Sequence, residues 1–375
     1  MMDRRWAVNI PWSMVGIVAG IALIGLSAVY SATYTQRGPS PLFYKQMVWI
    51  GMGFIAMLLM LIPDYHTVGR YAYVLYAVSL LLLVLVMFVG RTGMGAQRWL
   101  SLGPFAFQPS ELAKLALTLS LARYFAEAPK QDYCLRDLTV PAVMVLVPLV
   151  LVLKQPDLGT ALMLMLTASL IVLIAGLRIR AVLVIVIIAA VVASTIFLVP
   201  PVKKKLWGSL KPYQQNRIRA FIDPSSDPLG SGYHANQSKI AVGSGQIMGK
   251  GFRKGTQSQM AFLPERHTDF IFAVIAEERG LFGAGVMIVL YLSLLLIGID
   301  TAKNAKDRLG ALMAGGVVSM IALYVFINVG MAVGVVPVVG VPLPLASYGG
   351  TSVITTFLSI GLLVNIQMRR FMLFY

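Results

Sequence analysis

Leu281-Phe-Gly-Ala-Gly-Val-Met-Ile-Val-Leu-Tyr-Leu-Ser-Leu-Leu-Leu-Ile-Gly-Ile299 runs for nineteen residues without a charged side chain. At about 1.5 Å of rise per residue, that run nearly matches the roughly 30 Å of hydrocarbon in a bilayer. Similar apolar runs occupy residues 12–33, 43–62, 71–90, 109–127, 138–153, 159–177, 180–200, 309–333 and 345–367. With the run at 277–299 they make ten spans. The chain has 375 residues, 58% hydrophobic and 12% charged, whereas soluble domains carry about 25% charged residues. So little polar surface cannot cover a globule, which excludes an ordinary soluble fold. The expected class is all-α: a polytopic membrane protein of about ten helices, with 1–375 as one integral membrane domain.

The formal charge is +16. In a membrane chain that excess belongs to basic loops on an anionic bilayer, not to nucleic-acid binding. Ten spans place both termini on one side. Thirteen Lys and Arg flank the spans on that side, against five in the short loops opposite. Positive charge collects in the cytoplasm, so both termini read as cytoplasmic. The run from Trp12 follows Arg4 and Arg5 like a signal peptide, but its full spanning length reads as an uncleaved first helix. A single cysteine, Cys134, excludes an intramolecular disulfide. No internal repeat supports an inverted-repeat transporter.

Between the seventh and eighth spans lies the one long polar segment, 200–276, expected on the outer (periplasmic) face. Its first part, Lys203 to Ile222, alternates cations with Trp207, Tyr213 and Phe221, the pattern of a basic amphipathic helix lying on head groups. Its second part is rich in glycine, with Lys239, Lys250 and Arg253 interleaved. Freed backbone N–H groups beside cations suit a phosphate. A nucleotide P-loop is excluded, because Ser244 and Gly251 stand where that motif needs Gly and Ser/Thr. The segment closes on Leu263-Pro-Glu-Arg-His-Thr-Asp-Phe270, which packs Glu265, Arg266, His267 and Asp269 together just before the apolar run resumes. A span starting at Asp269 would bury Glu277-Glu278-Arg279 in hydrocarbon at about 2.5–3.5 kcal/mol per charge. Residues 269–276 are therefore expected as an interfacial helical segment, with the charged triplet at the boundary and the crossing begun at Leu281.

The other polar marks lie at the same end of the spans. Arg91 to Gln108, with Arg98 and Trp99, reads as a compact loop on the interface. The next helix opens Pro109-Ser-Glu-Leu-Ala-Lys114, and Glu111 and Lys114 share a face at i,i+3, so they can pair. Asp157 is placed to cap the sixth span. The last loop, Val336 to Tyr348, carries Pro337, Pro342 and Pro344 and ends at Ser347 and Tyr348. It cannot be helical, and is tolerated at membrane depth only against protein or a wet cavity. Asn328 is expected to make an interhelical hydrogen bond.

Six stretches carry a resemblance, in order from about residue 90 to the end: Gly95-Ala-Gln-Arg-Trp-Leu, Phe107-Gln-Pro-Ser-Glu-Leu-Ala-Lys114, Gln155-Pro-Asp-Leu-Gly-Thr160, Asp227-Pro-Leu-Gly-Ser-Gly-Tyr-His234, Phe262 to Phe270, and Val336 to Gly350. They resemble the SEDS family (shape, elongation, division and sporulation), and within it the RodA branch. The resemblance implies a peptidoglycan glycosyltransferase of the bacterial inner membrane that polymerises lipid II, releases undecaprenyl pyrophosphate and works beside a class B penicillin-binding protein. By position it makes Asp269 the essential loop aspartate, Glu111 and Lys114 the buried ion pair, and Arg98 part of an important motif. It also implies dependence on a divalent cation such as Mg or Mn, and no organic cofactor. Arg98, Trp99, Lys239, Lys250, Arg253, Arg266, His267, Ser347 and Tyr348 are the candidates for holding substrate or pyrophosphate. Joining a hydroxyl to a pyrophosphate-activated sugar needs one base, since the leaving group carries its own charge. A lipid II flippase and a non-catalytic scaffold of the elongation machinery are the rival readings.

Overall fold

A computed structural model of the chain describes residues 10–34, 38–93, 96–102, 105–130, 132–184, 230–260, 262–263 and 265–370, with single positions at 187, 208, 215 and 219. The helices are α1 Trp12–Thr33, α2 Pro41–Leu59, α3 Tyr65–Arg70, α4 Ala72–Val89, α5 Pro109–Glu127, α6 Thr139–Lys154, α7 Leu158–Ile174, α8 Ser231–Ser244, α9 Thr256–Gln259, α10 Ile271–Lys303, α11 Arg308–Val333 and α12 Gly350–Arg369. Seven helical stretches among the described residues are long and apolar enough to cross a membrane, and α7 is a shorter apolar helix. The fold is a helical membrane bundle. The seventh expected span, 180–200, is helical over 179–184 and at 187 and otherwise lies outside the described residues, as does nearly all of the expected amphipathic helix at 203–222.

Burial separates an outer set of helices from an inner one. Only 22% of the α4 window is buried, against 67% for α11 and 72% for α12. α4 can meet lipid on most of its surface because its side chains are almost all apolar. α5 is the reverse. It carries Glu111, Lys114, Thr118 and Ser120, yet fourteen of its nineteen residues are buried against other helices. It packs between α4, α7, α11 and α12. A helix surrounded by protein satisfies its polar groups on its neighbours, so it need not be apolar.

The expected compact loop after α4 is a small antiparallel sheet, β1 Arg91–Gly93, β2 Ala96–Leu102 and β3 Phe105–Phe107, in the order β1-β2-β3. Trp99 pairs with Arg91, and Leu100 with Phe107. Part of the glycine-rich segment is also regular: α8 lies against α10 and α11.

α10 is continuous over thirty-three residues apart from a break at Gly280, whose φ of 65° and ψ of −163° leave the helical region. Breaking a helix frees backbone groups that lipid cannot satisfy. Here the turn Gln246–Gly251 satisfies them. Lys250 N and Gly251 N donate to the carbonyls of Glu277 and Glu278 at 3.0 and 2.9 Å, and Leu281 N and Phe282 N donate to Gln246 and Ile247 at 2.8 and 3.2 Å. A Cβ on Gly280 would strike the backbone of Ile247 and Gly249, so glycine is required there for its φ and for its closeness. The helix thus starts anew at Leu281, within an apolar helical stretch that runs from Ile271 to Lys303. The acidic pair does not wait at the water boundary, however. Glu277 and Glu278 are 0% and 3% exposed, and protein partners replace the expected water.

Candidate active site

The polar groups collect at the end of the bundle where α5, α7, α10 and α12 begin and α11 ends. Two carboxylate stations stand there, both anchored on α11.

The first station is Glu111 with Lys114. Lys114 Nζ donates to Glu111 Oε1 at 2.6 Å, and both side chains are buried. Tyr324 of α11 completes the cluster: its hydroxyl donates to Glu111 Oε2 at 3.1 Å and meets Lys114 Nζ. The expected i,i+3 pair forms, and it is closed on all sides by helices.

The second station is Asp269. It precedes α10 in a turn in which Glu265, at φ 52°, offers its carbonyl to the amides of Thr268 and Asp269, both at 3.1 Å. Its backbone is gripped from two other elements. Asn328 Nδ2 of α11 donates to Asp269 O at 2.8 Å and to Val341 O at 2.7 Å. Asn328 therefore ties α11 to two loops, where an ordinary helix-to-helix bond was expected. Ser347 Oγ donates to Thr268 O at 2.6 Å and accepts from Leu343 N at 2.8 Å. Tyr348 N donates to His267 O at 2.8 Å, and the two rings lie 5.7 Å apart. The last loop is thereby stitched to the Asp269 turn. At Gly340, φ is 75°, and a Cβ would come within 3.1 Å of Asp269 Oδ2. The half-buried carboxylate lies along this glycine. Burial holds the His267 imidazole below its ordinary pKa, against the pull of Glu265, so it is neutral at pH 7.

A third group lies beside these two. Arg98 Nε donates to Gln155 O at 3.0 Å, the guanidinium also meets Pro156 O, and it stands 3.7 Å from Asp157. Asp157 caps α7 as expected, accepting from Thr160 N at 3.1 Å. Gln108 Nε2 reaches Ser110 Oγ at 3.0 Å and Asp157 Oδ2 at 3.4 Å, joining this group to the start of α5. On the first turn of α7, Gly159 packs against the carbonyls of Val339 and Gly340. The start of α7 thus touches the Arg98 group at Asp157 and, through Gly159, the loop whose Gly340 meets Asp269.

The other candidate cations are placed elsewhere. Lys250 is committed to Glu277 at 2.8 Å and to Thr256 at 2.7 Å. Glu277 also accepts from Gln257 N and Ser258 N at 2.8 and 3.1 Å. Arg253 stacks over the Tyr34 ring at 3.4 Å. Arg266 turns its guanidinium to α1, where Nε donates to Ala32 O at 2.6 Å. Lys239, on α8, lies against Gly334 at the end of α11. Trp99 is half-buried in β2. The structure therefore brings His267, Asp269, Ser347 and Tyr348 together and joins Arg98 to that end, while Lys250, Arg253 and Arg266 brace the Gly280 break and α1. Sequence reasoning missed Tyr324 and Gly340. Tyr324 and Asn328 are four apart on α11, so they share a face, and that spacing was the available signal. Among the described residues no three His, Cys, Asp or Glu side chains gather as a metal nest.

The chain matches the family model FtsW/RodA/SpoVE, described as cell cycle protein, over residues 5–371. It is 40% identical over 370 residues to the peptidoglycan glycosyltransferase MrdB of Escherichia coli K12, covering 98% of this chain and 95% of that protein. Among solved structures it is similar to a chain from work on the structural coordination of polymerization and crosslinking by a peptidoglycan synthase complex, with TM-score 0.81, 35% identity, and coverage of 96% of this chain and 98% of that one. It is also similar to the rod shape determining protein RodA of Thermus thermophilus, with TM-score 0.70, 31% identity, and coverage of 97% and 98%.

Proposed function

The chain belongs to the FtsW/RodA/SpoVE family, and from that premise we infer that Asp269 is the general base of its reaction. The protein is a peptidoglycan glycosyltransferase of a bacterial membrane. The substrate is lipid II. Asp269 takes the proton from the 4-hydroxyl of the acceptor's N-acetylglucosamine, and that oxygen bonds to the anomeric carbon of the donor sugar with inversion. The bond from that carbon to undecaprenyl pyrophosphate breaks, and its electron pair leaves on the pyrophosphate. The proton then passes from Asp269 to water. Arg98 faces the leaving group.

What supports this reading most is the setting of Asp269. Its carboxylate lies half-buried beside Gly340, on a backbone that Asn328 and the Ser347 loop fix from both sides. A base must be held within hydrogen-bond reach of its proton, and this one is pre-positioned. Mg or Mn takes one or two carboxylates plus phosphate oxygens, and since no group of acidic or imidazole side chains gathers among the described residues, such an ion would be held chiefly by the substrate's pyrophosphate. Such an ion would neutralise charge on the leaving group. His267 is neutral and helps shape the turn. In this reading both termini are in the cytoplasm, the 200–276 loop and the site face the periplasm of the inner membrane, and the partner is a class B penicillin-binding protein that crosslinks the strand.

The test is purified protein with fluorescent lipid II in detergent, with no second compartment. Polymer is expected. Asp269→Asn should cut turnover by at least about 100-fold while eluting like the native protein. Retained turnover removes Asp269 from the mechanism. Translocation in liposomes without polymer supports a flippase instead.

A further inference from the structure

On the lipid-facing side of the bundle, α4 and α6 are joined at two levels and apart between them. Toward one end, Tyr76 hydroxyl donates to Met144 O at 2.7 Å. Toward the other, Gln155 Nε2 donates to Leu83 O at 2.9 Å. Between these bonds lies a trough of about 720 Å³, walled by apolar side chains that include Leu80, Leu81 and Val84 of α4 and Leu146, Val147 and Val150 of α6. The trough is shallow and open along its lipid-facing side.

The mouth of the trough differs from its walls. Arg91, just after α4, and Lys154, the last residue of α6, are both exposed, and Arg98 sits on the carbonyls of Gln155 and Pro156, which follow Lys154. From the last wall residue of α6, Leu151, to Lys154 is about 4–5 Å of helix rise. An apolar trough with cations at one end is complementary to a single molecule with a long hydrocarbon chain and an anionic head. The mouth also borders the active site. Arg98 contacts the turn that leads into α7, Gly159 of α7 lies on the carbonyls of Val339 and Gly340, and Gly340 lies on the Asp269 carboxylate.

We propose that the trough between α4 and α6 holds the isoprenoid chain of the lipid-linked substrate, with its diphosphate at Arg91, Arg98 and Lys154. The site is a binding subsite that takes polyprenyl diphosphates. It rests on the glycosyltransferase reading for the identity of its ligand. The bonds at Tyr76 and Gln155 tie α4 to α6 and the turn after it near the two ends of the trough, so a bound chain loses little of its attraction to rearrangement.

Two measurements test this. In the first, full-length protein in vesicles of phosphatidylethanolamine and phosphatidylglycerol is irradiated with undecaprenyl diphosphate bearing a diazirine within its chain. Adducts are expected on the trough-facing residues of α4 and α6, lost on adding unlabelled undecaprenyl diphosphate and kept on adding phosphatidylglycerol. Equal competition by phosphatidylglycerol would mark ordinary boundary lipid and overturn the proposal, as would adducts elsewhere. In the second, Val147→Trp fills the trough. The ratio of kcat/KM for undecaprenyl-linked over farnesyl-linked substrate should fall about tenfold, equivalent to about 1.4 kcal/mol. An unchanged ratio overturns the subsite. Adducts in the trough from a wild-type protein that makes no polymer would leave the subsite standing and sink the glycosyltransferase reading.

Discussion

Glu111 and Asp269 are both held from α11, by Tyr324 and Asn328, about one helical turn apart. They are treated in opposite ways. Glu111 is gripped by its charge: Lys114 and Tyr324 take its oxygens inside the bundle. Asp269 is gripped by its backbone, and its carboxylate lies half-buried against a residue that has no side chain. A carboxylate whose oxygens are consumed by a buried partner positions helices. One whose main chain is fixed from two sides is positioned through its backbone. If Asp269 is the base proposed above, the contrast separates structural from chemical acidity within one cluster.

The contrast can be broken most severely on the Glu111 side. Lys114→Ala strands a buried carboxylate and is expected to cost about 3–5 kcal/mol, read as a lower melting temperature in detergent. Adding Glu111→Gln should recover much of that loss. If the single variant melts like the native protein, the pair is not what holds α5 to α11. Next comes Asn328→Ala, which leaves two carbonyls without their donor and should cost about 1–3 kcal/mol. Because it slackens the Asp269 backbone, kcat should fall more than KM rises. A rise in KM alone would mean that Asn328 serves binding and does not aim the base. Gly340→Ala presses a methyl toward Asp269 Oδ2 at a positive φ, and a penalty of about 1 kcal/mol is expected. Turnover should drop further than stability does, and equal effects would argue that Gly340 only shapes the loop. The smallest effect belongs to His267. Its pKa is lowered on folding by burial, so near pH 6 the unfolded chain holds more protons than the native one. Stability should then fall as pH drops below about 6.5 and level off beneath the folded value. Chemical denaturation across that range should show His267→Gln flattening the slope.

Seven of the expected spans, among the described residues, could be read from the sequence because lipid leaves a helix such as α4 no choice but to be apolar. The Glu111–Lys114 pair and the Asp157 cap were legible as well, since each depends on a spacing of three residues along one chain segment. α5 was found as a run, but nothing local told that its hydroxyls and charges mark the centre of the bundle. The partners chosen across long separations were not legible. Lys250 takes Glu277, Arg266 takes Ala32 O, and Asn328 reaches the turn at Asp269. Each reads locally as a free cation or an ordinary interhelical amide, and only the fold decides otherwise. The sheet after α4 escaped notice because glycines and aromatics describe a tight loop and a short hairpin equally well.

The interruption of α10 at Gly280 fixes more than a bend. In an unbroken helix each added residue turns everything beyond it by about 100°, so one insertion near Lys303 would swing Asp269 off target. The turn Gln246–Gly251 bonds both sides of the joint, so the residues that lead in from Asp269 and the segment that leaves at Leu281 are held to one another by a third piece of chain as well as by their own backbone.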